Sequence, residues 1–176
     1  MSKEIYEQLL LDDAARIIVQ LSSAARLVDR ICPMSVSSLN VLIFCMHYQL
    51  GDLMHAFEAQ YGNCDIERKL AEYLKSKFST RKVLFTLANV RFMRKLRNLC
   101  VENSEFVVCM EGLGMSVIKY IVQKVQDDNA RMFYLAKAHE KSISLNSIKE
   151  MVLGNTYAIF VCKNRETSRI KMDEQQ

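Results

Sequence analysis

A chain of 176 residues, half of them apolar and a quarter charged, has the composition of one globular domain or of two small ones sharing an interface. One proline and five glycines exclude a β-sandwich or barrel, folds that use both residues at many turns. The formal charge is only +4, yet residues 68 to 97 hold ten Lys and Arg against the single acid Glu72, so the remainder of the chain is net negative.

Neither a membrane span nor a secretory segment is indicated. The longest apolar run lies near Val41 to Met46, far short of the roughly 20 residues a spanning helix needs. The acidic, polar start of the chain has no signal-peptide pattern. Six cysteines (Cys32, Cys45, Cys64, Cys100, Cys109 and Cys162) sit mostly at apolar positions of helical runs, and no C-x-x-C occurs. Reduced thiols in a cytoplasmic protein fit that placement better than a disulfide framework.

In chain order, the first helix covers residues 1 to 31, with a break expected near Asp12 and Asp13 and a stop imposed by Pro33. Ser35, Ser37 or Ser38 caps a second helix, through Leu39 to Leu50 and onward to Tyr61. Its first half is apolar almost all round, the pattern of a helix at the centre of a bundle. Gly62 stops it, and Asp65 caps a third helix from Ile66 to Phe78 whose inner stripe is Ile66, Leu70, Tyr73 and Leu74. Ser79 or Thr80 then caps a helix from Arg81 to Val101.

Asn103 or Ser104 opens a segment from Glu105 to Gln126 that Gly112 and Gly114 weaken or split. Asp127 and Asp128 start a helix over Ala130 to Lys141. Ser144 starts another over Leu145 to Leu153, stopped by Gly154. The β-prone run Tyr157 to Cys162 reads as a last helix, and Lys163 to Gln176 as a fraying charged tail. The fold class is therefore all-α, a multi-helix bundle. Its expected parts are an N-terminal helical subdomain over 1–102, a C-terminal one over 103–162, and the tail 163–176.

On the wheel of the fourth helix Phe85, Phe92, Met93, Leu96, Leu99 and Cys100 share one side, within about 120°. Arg91, Arg94, Lys95 and Arg97 occupy the rest, with no carboxylate between Arg81 and Val101. A surface helix that needs only solubility mixes signs and gains a few tenths of a kcal/mol per i,i+4 pair. Two bland explanations compete with an anionic ligand here: cations suit a helix C-terminus, and acids on a neighbouring helix can neutralise the patch. Arg68, Glu72 and Lys75 lie on one stripe and read as an ordinary ion-pair row. Arg81, Lys82, Arg91, Arg94, Lys95 and Arg97 are the candidate contacts for nucleic-acid phosphate.

Catalytic chemistry has no footing in the sequence. His47 and His55 are eight residues apart, not the four that put two imidazoles on one helical face. Phosphate-cradling glycine loops, nucleophile elbows and zinc-protease motifs are all missing. No enzyme activity, cofactor or metal is expected.

The block LGDLMHAFEAQYGNCDIERKLAEYLKSKF followed by RFMRKLRNL, in a nearly all-helical chain of this length, resembles the closterovirus RNA-silencing suppressors of the beet yellows virus type. The resemblance implies a viral protein of the host cytoplasm that forms ring-like homo-oligomers. It also implies binding of small double-stranded RNA without sequence preference, which sequesters the guides of host silencing. The alternative is a helical protein-interaction module such as a viral Bcl-2-like inhibitor. Leu50-Gly51-Asp52 resembles the core of a BH3 segment, although His47 stands where that motif wants leucine and the chain has no Trp.

Overall fold

The computed structural model describes residues 2–31, 35–62, 65–78, 84–141 and 143–173, with side chains for all of these except 27–31, 141 and 165–173. Among them are nine helices and no strand, as an all-α bundle requires. They form two compact units, Met1–Gly112 and Leu113–Gln176. The division falls ten residues beyond the 102/103 joint expected from the sequence, because the short helix after that joint stays with the first unit.

The first unit contains α1 (Lys3–Ile31), α2 (Val36–Tyr61), α3 (Ile66–Lys77), α4 (Leu87–Glu102) and α5 (Glu105–Met110). α1 runs unbroken through Asp12 and Asp13, since both carboxylates find partners along the surface. Asp12 accepts from Gln8 and from the Tyr73 phenol, and Asp13 pairs with Arg16. Those hydrogen bonds hold the Asp12 carboxyl below its usual range. Pro33, expected to end α1, lies outside the described residues.

α2 is the element against which α1 and α4 both pack. Ser35 caps it, its hydroxyl accepting from the Ser38 N–H at 3.1 Å, and Gly62 ends it at φ 74°. Its burial does not follow its hydropathy, since in the first half only Phe44 and His47 are buried. The second half holds the sealed positions Leu50, Gly51, Met54 and Phe57, whereas Val36 and Leu39 at the start are exposed and Leu42, Ile43 and Met46 only half-buried. The most apolar half of the helix is thus not the bundle's centre.

α3 begins at Ile66, but Asp65 makes no side-chain cap; its carboxylate pairs with Arg68 instead. α4 begins six residues later than the hydroxyls at 79 and 80 suggested. Thr86 is its cap, accepting from the Asn89 N–H at 3.2 Å. The fully buried Phe85 packs against Phe78, with ring centroids 5.8 Å apart and the rings tilted by 44°, immediately before that cap.

The second unit contains α6 (Met115–Lys124), α7 (Asp128–Lys141), α8 (Leu145–Leu153) and α9 (Thr156–Asp173). The glycines split the expected 105–126 helix, with Gly112 at φ 76°. Asp127 caps α7 through the Ala130 N–H, and Ser144 caps α8 through the Ser147 N–H. The left-handed residue after α8 is Asn155 (φ 49°), whereas Gly154 is ordinary (φ −76°). α9 includes the ambiguous 157–162 run and continues to Asp173, so the expected frayed tail is helical for most of its length.

Arg131 is buried and closes the end of α6, its Nε donating to the Val125 carbonyl at 2.7 Å. Tyr134 joins three helices: its hydroxyl donates to the Met151 carbonyl (3.4 Å) and accepts from the Tyr157 N–H (3.2 Å) in the first turn of α9. Tyr134→Phe leaves both groups without that partner and should cost about 1–2 kcal/mol, read by urea denaturation. An unchanged midpoint would mean that water replaces the hydroxyl at no cost.

Cys45, Cys100, Cys109 and Cys162 are all free thiols, and Cys32 and Cys64 lie outside the described residues. Burial pushes the Cys100 thiol up to about 11, which keeps it protonated and inert at neutral pH.

Candidate nucleic-acid interface

α4 buries Phe92, Met93, Leu96, Leu99 and Cys100, the side the wheel assigned inward. That fixes the azimuth of its cations, and the neighbouring helices supply carboxylates to three of them. Arg91 Nε donates to Glu67 Oε2 of α3 at 3.1 Å. Arg94 reaches two helices, with Nη1 donating to Glu58 Oε1 of α2 at 2.5 Å and Nη2 lying 2.6 Å from Glu67 Oε1. The second contact is a charge pair without hydrogen-bond alignment, since Glu67 Oε1 is buried and has no hydrogen-bond partner. Arg97 Nε donates to Asp52 Oδ1 of α2 at 2.9 Å.

These pairs are not equivalent. Glu67 is only 12 % exposed and holds two guanidinium groups, while Arg91 is 63 % exposed. Arg97 is 15 % exposed at its side chain, and its stem lies over the helix crossing at Gly51. Ion pairs between exposed groups are worth about 0–1 kcal/mol, and more when one partner is withdrawn from water. Arg94, joining α2, α3 and α4 through two carboxylates, therefore fastens the bundle. Arg91 can exchange its carboxylate for another anion at little cost.

Lys95 makes no ion pair among the described residues. It lines a cleft of about 380 Å³ with Arg91, Arg94, Asn98, Glu67 and Glu102. Counted with Asp52, Glu58, Glu67 and Glu102, the four cations of α4 are locally balanced, so its outer face is a mixed-sign surface. Arg81 and Lys82 lie outside the described residues. On α3, Arg68 pairs with Asp65 and Glu72, and Lys69 with Glu7 of α1 at 2.7 Å. Lys75 and Lys77, in the last turn of α3, form no ion pair among the described residues. No carboxylate occurs in the sequence between Glu72 and Glu102.

The described cations without an ion pair in this stretch are thus Lys75 and Lys77 at the end of α3, and the sequence continues to two more cations, Arg81 and Lys82. Lys75 and Lys77 were part of the basic window but not of the candidate set. The signal that separates them from Arg91, Arg94 and Arg97 is the position of acids 24 to 45 residues away, which no local pattern reveals.

His47 is buried, its Nδ1–H donating to the Ile43 carbonyl at 2.8 Å and its ring edge-on to Phe92. Among the described residues, no three His, Cys, Asp or Glu side chains gather as a metal would need. No helix there is long and apolar enough to cross a membrane. Gly51 and Asp52 of the BH3-like triplet serve the α2–α4 contact, Gly51 fully within the crossing and Asp52 paired with Arg97.

The chain matches no protein-family model, no curated protein and no solved structure.

Proposed function

We propose that this protein binds small double-stranded RNA through phosphate contacts, without reading sequence, and acts by sequestration rather than catalysis. On this reading it is a viral suppressor of RNA silencing of the closterovirus type, working as a homo-oligomer in the host cytoplasm. The observation that carries the proposal is the run of cations from Lys75 and Lys77 to Arg81 and Lys82, with no carboxylate before Glu102 and no internal ion pair at the two described members. Lys95 and the exposed Arg91 add to it from α4. A run of lysines and arginines with no base-reading motif in the sequence suits the regular phosphate array of a duplex better than splayed single-stranded bases.

The test is fluorescence anisotropy with an RNA duplex of about 21 base pairs and arbitrary sequence, titrated at several salt concentrations. Contact with about six phosphates gives a log–log slope near −5, the same for unrelated sequences. Absence of binding at low salt would refute the proposal and leave the basic run as a protein-docking surface.

A further inference from the structure

α1 and α2 each line one open groove with a mostly apolar row of side chains. On α1 the row is the buried Ile18 with the half-buried Leu21, Ser22 and Ala25; on α2 it is the exposed Leu39 with the half-buried Leu42, Ile43 and Met46. Both follow the spacing i, i+3, i+4, i+7, and together they wall a trough of about 370 Å³ whose lining Phe85 and His47 help complete. Seven residues of helix rise about 10 Å, so the walls run for two turns. Leu39 and Leu84 on the lining remain 45 % and 44 % exposed. This is the half of α2 whose hydropathy exceeds its burial.

We infer that the trough seats an amphipathic helix of a partner protein, one carrying large apolar residues at i, i+3, i+4 and i+7 and a carboxylate beside them. The helical register comes from the two walls: parallel ridges at this spacing are what a third helix packs into at 8–10 Å, whereas a flexible acyl chain needs no such repeat. The carboxylate comes from charge. The lining contains no Asp or Glu, and its one formally charged side chain is the exposed Arg26. Arg26 donates through Nε to the Ser22 carbonyl at 3.3 Å and forms no ion pair among the described residues. A carboxylate there gains a charge-assisted partner, while a cation meets repulsion.

The probe is a fluorescein-labelled peptide of about 16 residues, with four leucines at that spacing, one flanking glutamate, and alanine and glutamine elsewhere. A twin carries lysine for the glutamate, and a third has the leucines scrambled. Anisotropy with the full chain should give a dissociation constant on the order of 10 μM for the glutamate peptide and weaker binding of the other two. Leu39→Glu should weaken binding at least tenfold. Arg26→Glu should invert the preference between glutamate and lysine peptides, a reversal that unspecific stickiness does not produce. Both substitutions are at exposed positions, so circular dichroism should stay unchanged. Equal binding of the scrambled peptide, no effect of Leu39→Glu, or a trough that takes dodecanoate but no peptide would each overturn the inference. Binding of the RNA duplex by the same two variants should stay at wild-type strength, which separates this surface from the basic run.

Discussion

Gly51→Val is expected to lower the free energy of unfolding by about 3 kcal/mol, and Gly51→Ala by about 2 kcal/mol. A Cβ at this position would stand 2.5 Å from the Met93 carbonyl oxygen and 2.8 Å from Arg97 Cβ. The oxygen belongs to the backbone of α4 and cannot rotate aside, so the two helices must separate. Separation loosens Leu50 and Met54 on one side and Met93 and Leu96 on the other, all fully buried. Alanine recovers about 1 kcal/mol of helix propensity over glycine, which is why its net cost is smaller. Valine recovers less and brings two more methyl groups. Urea denaturation should show a lower midpoint at unchanged slope, the mark of a native-state effect. An alanine variant more stable than the parent would show that α2 and α4 part without strain. Arg97 should share the loss, because its carboxylate partner Asp52 is the next residue after Gly51.

What the sequence revealed and what it concealed divide along the range of the interactions. Ser35, Asp127 and Ser144 cap their helices through N–H groups three residues on, a relation contained in the local pattern. The inward side of α4 was equally legible, since one helical period sorts Phe92, Met93 and Leu96 from the arginines. The start of α4 was not. Hydroxyls at 79, 80 and 86 offer the same chemistry, and Thr86 caps the helix where Phe85 is buried against Phe78. The acids facing Arg91, Arg94 and Arg97 were hidden for the same reason: Glu67, Glu58 and Asp52 stand on other helices. The first half of α2 misled in the opposite direction. Its all-round hydropathy suggested a covered helix, but one of its apolar faces is left open by the described residues.

Arg94→Gln and the double substitution Lys75→Gln with Lys77→Gln should therefore fail in different assays. Arg94 holds Glu58 and Glu67 together, and Glu67 is nearly withdrawn from water. Without its guanidinium, two carboxylates face each other across α2 and α3 with only the exposed Arg91 beside them, at a cost of about 2–3 kcal/mol. The loss should appear in the denaturation midpoint, and RNA binding measured well below that midpoint should change little. Lys75 and Lys77 sit in the last turn of α3, where each charge contributes about 0.3–1 kcal/mol against the helix dipole, so neutralising both costs about 1 kcal/mol. Their effect on RNA should be larger. Removing two phosphate contacts reduces the log–log salt slope by about 2 and weakens binding at least tenfold near 0.1 M salt, equally for all sequences. The reverse pattern, with Arg94→Gln abolishing RNA binding in a fully stable protein and the lysine pair inert, would return the interface to α4. It would mean that the arginines release Glu58 and Glu67 on binding, with phosphate replacing carboxylate in the same guanidinium forks.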